Sequence, residues 1–161
     1  MMEEQQAPHD PNFKYDVAAQ PGGDQIKVCY SCGTCTAGCP VTEVDARYSP
    51  RHIIRQVLLG QRKAVLSDPL IWYCETCYAC SVYCPQNVKF GDVMRALREM
   101  AVAEGYFTPE FLQRIRNVDR LAHAVRVQLV EAALNHRDEI EPSPLDGSVE
   151  TVSDKIRKTR V

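Results

Sequence analysis

The sequence has no uninterrupted apolar run approaching the roughly 18 residues of a membrane span, so no transmembrane helix is expected. Its opening residues, Met1-Met2-Glu3-Glu4-Gln5-Gln6, are acidic and lack an apolar core, and so do not read as a secretory signal. The expectation is a soluble protein of the cytoplasm. A basic excess is missing too. Lys and Arg number 19 against 21 Asp and Glu, a formal charge of −2, which argues against a nucleic-acid binder. Histidine is scarce: His9, His52, His123 and His136 stand apart, with no carboxylate or nucleophile pattern beside them. No G-x-G-x-x-G, Walker or G-x-S-x-G motif occurs, so the familiar nucleotide-binding and hydrolase apparatus is absent. Full disorder is excluded as well, because 45% apolar and 25% charged residues over 161 positions suit one globular domain with tails.

What the chain does have is cysteine, eight in all, at two places only. Cys29, Cys32, Cys35 and Cys39 read C-x2-C-x2-C-x3-C and are followed by Pro40. Cys74, Cys77, Cys80 and Cys84 repeat that spacing without error and are followed by Pro85. The pattern is a duplicated site. A disulfide framework is disfavoured, because a reducing compartment keeps thiols apart and neighbours at this spacing are poorly placed to pair. Zinc sites usually separate two C-x2-C pairs by a longer spacer, whereas here three thiols share one tight loop and a fourth follows closely. The spacing is the bacterial one for two [4Fe–4S] clusters.

In that arrangement the fourth cysteine of each run ligates the other cluster. The expected sets are Cys29, Cys32, Cys35 and Cys84 for one cluster, and Cys74, Cys77, Cys80 and Cys39 for the other. Local ligation, each run holding its own cluster, is the alternative. Against it stand the short x3 arc and the proline, which stops the chain and brings no N–H needing a partner beside the cluster. With thiolates at all eight ligand positions, neither cluster leaves a corner for substrate. The clusters are expected to pass electrons, and no catalytic residue is expected.

Residues 1–25 contain Pro8, Pro11, Pro21, Gly22 and Gly23 and no sustained period, which suggests a flexible N-terminal segment. Within it Phe13, Tyr15 and Val17 alternate with Lys14 and Asp16, a pattern suited to a short extended stretch against a partner. Residues 26–107 are expected to hold both clusters. Between the cysteine runs, Ser49 as N-cap, Pro50 at the first position, apolar Ile53, Ile54, Val57 and Leu58, and Gly60 as C-cap spell a helix. Ser67-Asp68-Pro69 opens a short turn through Leu70, Ile71 and Trp72 into Cys74. A second helix is expected from about Phe90 to Glu104, its stripe being Phe90, Val93, Met94, Leu97, Met100 and Ala101, with Gly105 following.

Thr108-Pro109-Glu110 then starts a pattern running through Phe111, Ile115, Val118, Ala122, Val125 and Leu129. It predicts a long helix within 108–136, roughly 40 Å at about 1.5 Å per residue, either packed on its own domain or laid on another subunit. A polar tail, 137–161, ends in the basic run Lys155-Ile156-Arg157-Lys158-Thr159-Arg160. The fold class is all-α. Arg47, Arg51 and Lys89 lie near the motifs and would offset negative charge at the clusters. Tyr30, Trp72, Tyr73, Tyr78 and Tyr83 gather at the cysteines and would exclude water from them.

Cys29-Tyr30-Ser31-Cys32-Gly33-Thr34-Cys35-Thr36-Ala37-Gly38-Cys39-Pro40, then Tyr48-Ser49-Pro50-Arg51, then Trp72-Tyr73-Cys74 with Cys77, Cys80, Cys84 and Pro85, resemble the C subunit of heterodisulfide reductase. The resemblance covers about residues 25–107. It implies the α-helical ferredoxin fold, shared with the iron–sulfur subunit of succinate dehydrogenase and fumarate reductase, and a small cytoplasmic protein that relays electrons. It further implies two heterodisulfide reductase partners. One is a flavin subunit with iron–sulfur clusters of its own, which bifurcates electrons. The other is a cysteine-rich catalytic subunit, which cleaves a disulfide. The alternative function is an iron–sulfur relay for a flavin dehydrogenase of the fumarate reductase or glycolate oxidase type. Longer relatives fuse this module to Cys-Cys-Gly domains or to a membrane cytochrome. Here no Cys-Cys pair is present, and a stand-alone subunit fits better.

Overall fold

The computed structural model describes residues 9–135. The first eight residues, His136 and the polar tail lie outside the described residues. Among the described residues every regular element is helical and there is no strand. They divide into two compact units that part after Pro109.

In the first unit, helices α1 (Phe13–Ala19), α4 (Pro50–Leu58), α5 (Arg62–Leu66) and α7 (Phe90–Ala103) surround the apolar core. Helix α4 begins where its capping residues put it. The Ser49 hydroxyl accepts the His52 N–H at 3.3 Å, and Pro50 occupies a position whose N–H has no helical partner anyway. Its apolar face buries Ile53, Ile54 and Val57. The helix stops at Gly60, whose φ of 76° suits glycine, and whose carbonyl accepts the Asp10 N–H at 2.7 Å. That closure leaves no room for a side chain, since a Cβ on Gly60 would lie 2.3 Å from the Asp10 carbonyl oxygen. Helix α7 follows its expected stripe, with Phe90, Val93, Met94, Leu97, Met100 and Ala101 all buried.

Residues 10–25 correct the sequence reading. The stretch expected to be flexible, or extended around Phe13, Tyr15 and Val17, is helix α1 followed by a 3₁₀ turn, Asp24–Val28. Phe13, Val17 and Ile26 have no exposed surface. The alternation misleads because Phe13 and Val17 are also four apart, which is one face of a helix. What holds the segment is tertiary. The Arg62 guanidinium binds Asp10 at 3.0 Å, Asp16 at 2.6 Å and Glu104 at 2.6 Å, and lies 5.2 Å from the Phe13 ring centroid. One cation thus ties the N-terminal segment, α5 and the end of α7 together.

From Glu110 on, the second unit is made by α8 (Pro109–Asn135), 27 residues long and starting at the expected Thr108-Pro109 signal. Phe111, Ile115, Val118, Ala122, Val125, Leu129 and Ala132 recur along it at alternating spacings of about four and three, the narrow seam of a heptad pattern. None of its residues is buried. No helix of the described residues is long and apolar enough to cross a membrane.

Candidate metal centre

The duplication seen in the cysteine spacing recurs in the backbone. Cys29 leaves the 3₁₀ turn Asp24–Val28, and Cys74 follows a second 3₁₀ turn, Pro69–Trp72. Two residues on, Ser31 and Thr76 adopt positive φ of 60° and 53°, and each donates its backbone N–H to the preceding cysteine Sγ at 3.4 Å. Gly33 and Tyr78 are again matched, both left-handed, and each opens a short helix: α2 (Thr34–Ala37), carrying Cys35, and α6 (Ala79–Tyr83), carrying Cys80. A left-handed tyrosine is strained by roughly 1 kcal/mol or more. Its hydroxyl is held by α7, donating to Asp92 at 3.1 Å and accepting from Arg95 at 2.5 Å.

Helices α2 and α6 pack against each other, and Gly38 shows how closely. A Cβ there would sit 2.6 Å from two carbons of the Tyr83 ring. The chain leaves α2 at Cys39, which begins α3 (Pro40–Val44), and leaves α6 at Cys84. The contact sends each departing cysteine toward the other loop. Cys29, Cys32, Cys35 and Cys84 line one cavity, with Ile54, Val88 and Phe90 as apolar walls. Cys39, Cys74, Cys77 and Cys80 line a second, with Tyr48, Tyr78 and Phe90. Both are partly open to solvent, and the buried Phe90 borders both.

The electrostatics follow the same grouping. Burial pushes the Cys35 thiol up, and the neighbouring Cys29, Cys32 and Cys84 add to it. Burial likewise pushes the Cys80 thiol up to about 11, with Cys74 adding. Cys32 is shifted the other way by the Thr34 hydroxyl, 3.3 Å from its sulfur. The Val88 N–H donates to Cys84 Sγ at 3.3 Å. Among the described residues no group of three or more His, Cys, Asp or Glu is gathered as a single metal ion requires. A zinc site would draw four sulfurs to about 2.3 Å from one point. Here the cysteines line two cavities in sets of four, and the N–H donors suit the negative charge of metal-bound thiolates.

Other expected residues fall differently. Arg51 lines the first cavity and its N–H donates to Thr36 at 2.9 Å, joining α4 to α2. Arg47 pairs with Asp45 at 2.6 Å, and Lys89 stands exposed ahead of α7. The tyrosine shell is open: Tyr30, Tyr73 and Tyr83 are 59%, 43% and 53% exposed. Trp72 alone of that group is buried, in edge contact with Phe107 at 5.3 Å. Sequence reasoning missed two residues. Tyr48, 1% exposed, points its hydroxyl into the second cavity's wall without a nitrogen or oxygen partner. Arg98 on α7 donates to the Ile71 carbonyl at 2.9 Å and the Cys74 carbonyl at 2.5 Å, fixing the start of the second loop.

Fold and cavities together define an all-helical iron–sulfur protein with two centres. Residues 25–88 match the 4Fe-4S dicluster domain family, a domain for two [4Fe–4S] clusters. The C subunit of the ferredoxin:CoB-CoM heterodisulfide reductase of Methanosarcina mazei is 32% identical over 138 residues, 86% of this chain and 83% of the relative. The C subunit of a ferredoxin/F(420)H(2)-dependent CoB-CoM heterodisulfide reductase of Methanosarcina acetivorans is 36% identical over 128 residues, covering 80% and 77%. The C subunit of the H(2):CoB-CoM heterodisulfide,ferredoxin reductase of Methanothermobacter thermautotrophicus is 39% identical over 100 residues, 62% of this chain. The chain belongs to the family of heterodisulfide reductase C subunits. It spans about half the length of the Methanothermobacter relative, 53%.

Proposed function

We propose that this chain is the electron-relay C subunit of a heterodisulfide reductase-like complex of the cytoplasm. Cys29, Cys32, Cys35 and Cys84 hold one [4Fe–4S] cluster, and Cys74, Cys77, Cys80 and Cys39 hold the other. The observation that carries the reading is the pair of cavities, each lined by three cysteines of one run and the fourth of the other. When bound, a [4Fe–4S] cluster takes up and gives back single electrons.

The chain's own residues supply the rest. Ser31, Thr76 and Val88 N–H groups offset charge on the thiolates, and Phe90 and Ile54 keep one side of each site or both apolar. Four thiols at each cavity leave no corner for substrate. Cys32 and Cys77 are exposed, so each site has an edge that a partner can approach. The partners are a flavin- and iron–sulfur-containing subunit on one side and a cysteine-rich, disulfide-reducing subunit on the other. Their assignment rests on the family to which the chain belongs.

Anaerobic affinity purification of the chain from its host, with mass spectrometry of what travels with it, tests the assignment. A flavoprotein together with a Cys-Cys-Gly-rich protein is the expected result. A flavin dehydrogenase, or a membrane cytochrome, without that cysteine-rich partner would overturn it.

A further inference from the structure

The duplicated cysteine frame gives the two sites nearly the same backbone, and Tyr48 breaks the symmetry. Its buried ring lines the second cavity, whereas the tyrosine beside the first centre's sulfurs, Tyr30 at Cys32, is 59% exposed. The side chain is held in place from its own backbone: the Tyr48 N–H donates to Asp45 at 3.0 Å, and its carbonyl accepts the Thr42 hydroxyl at 2.9 Å. Ser49 next to it caps α4. Two tyrosines border this cavity, and they differ in one respect. The Tyr78 hydroxyl is engaged by Asp92 and Arg95, whereas the Tyr48 hydroxyl is buried with no nitrogen or oxygen partner.

A fully buried hydroxyl without a partner is costly, and native structures rarely leave one so. The cavity that Tyr48 lines is walled by Cys39, Cys74, Cys77 and Cys80, so the acceptors facing the hydroxyl are sulfurs.

We propose that the Tyr48 hydroxyl donates a hydrogen bond to sulfur at the second centre and tunes the reduction potential of that centre alone. This rests on the assignment of a cluster to Cys39, Cys74, Cys77 and Cys80. An added electron makes the sulfurs more negative, so the hydrogen bond strengthens on reduction and favours the reduced state. Loss of the hydroxyl lowers the equilibrium constant for reduction about tenfold, which is about 59 mV for one electron.

The test is an anaerobic redox titration of the full reconstituted chain, followed by electron paramagnetic resonance. Tyr48→Phe is expected to shift one midpoint down, the one that Cys77→Ser also disturbs, and to leave the other in place. 3-Fluorotyrosine placed at position 48 alone, a stronger donor of nearly the same shape, is expected to shift the same midpoint up. If Tyr48→Phe fails to hold the second cluster, the fluorotyrosine chain decides by itself. An unmoved midpoint in that chain, or equal movement of both midpoints, overturns the inference. A wild-type chain that takes up no iron and sulfide removes the ligand assignment first, and the inference with it.

Discussion

Arg98→Met keeps the length and apolar stem of the side chain and removes its guanidinium. In the structure that group donates to the carbonyls of Ile71 and Cys74 and lies 5.4 Å from the Trp72 ring centroid. A hydrogen bond to a charged group contributes about 1.5–3 kcal/mol, and a cation–π contact about 0.5–1 kcal/mol. These overlap in one side chain, so the combined loss is on the order of 3 kcal/mol. It falls on the second loop, because both carbonyls lead directly into or belong to Cys74. At about 1.4 kcal/mol per factor of ten, iron at Cys39, Cys74, Cys77 and Cys80 is held roughly a hundredfold less well. The assay sets the reconstituted variant against rising chelator and follows iron per chain and the paramagnetic signals. Half the iron should leave at roughly threefold lower chelator, because four irons share that hundredfold change, and the other half at the wild-type concentration. Simultaneous loss of both halves at the wild-type concentration would refute the role given to Arg98.

Cys84→Ser should disturb the same paramagnetic signal as Cys32→Ser, and Cys39→Ser the same signal as Cys77→Ser; the opposite pairing would mean that each run holds its own cluster. Ser49→Ala removes the cap of α4 and should cost about 1 kcal/mol, lowering the melting temperature of the loaded chain by roughly 4–8 °C. An unchanged melting temperature would show that the cap contributes nothing. Complete removal of iron should unfold residues 26–107, because the ligands join distant segments. Far-ultraviolet circular dichroism would then fall and trypsin would cut at Arg98, whereas a retained helical signal with Arg98 protected contradicts the expectation.

Where local chemistry decides an element, it is readable from the chain. Helix α4 is spelled by Ser49-Pro50 and Gly60, α7 by its buried stripe, and α8 by Thr108-Pro109. Helix α1 was not readable, because nothing local caps it: Asn12 makes no side-chain cap bond. Its stability comes from Arg62, which is 46 residues from Asp16 in sequence, and from the burial of Phe13 and Val17. The cysteine spacing names the ligand candidates and the kind of group they suit. It carries no information on the close approach of Gly38 and Tyr83, which places Cys39 and Cys84 at the cavities they line. Tyr48 belongs to the Tyr48-Ser49-Pro50-Arg51 motif, yet only the packing around α4 shows its hydroxyl buried among sulfurs. The aromatic residues beside the cysteines were expected to form a water-excluding shell, and most of them instead lie half exposed.

The most direct measurement of the central claim is the count of iron and acid-labile sulfide on the full chain after anaerobic reconstitution, taken with its visible spectrum. Two [4Fe–4S] clusters predict about eight irons and about eight sulfides per chain, in a brown protein with broad visible absorbance. A colourless chain, or one that saturates below about five irons, would contradict a dicluster centre built on these cysteines.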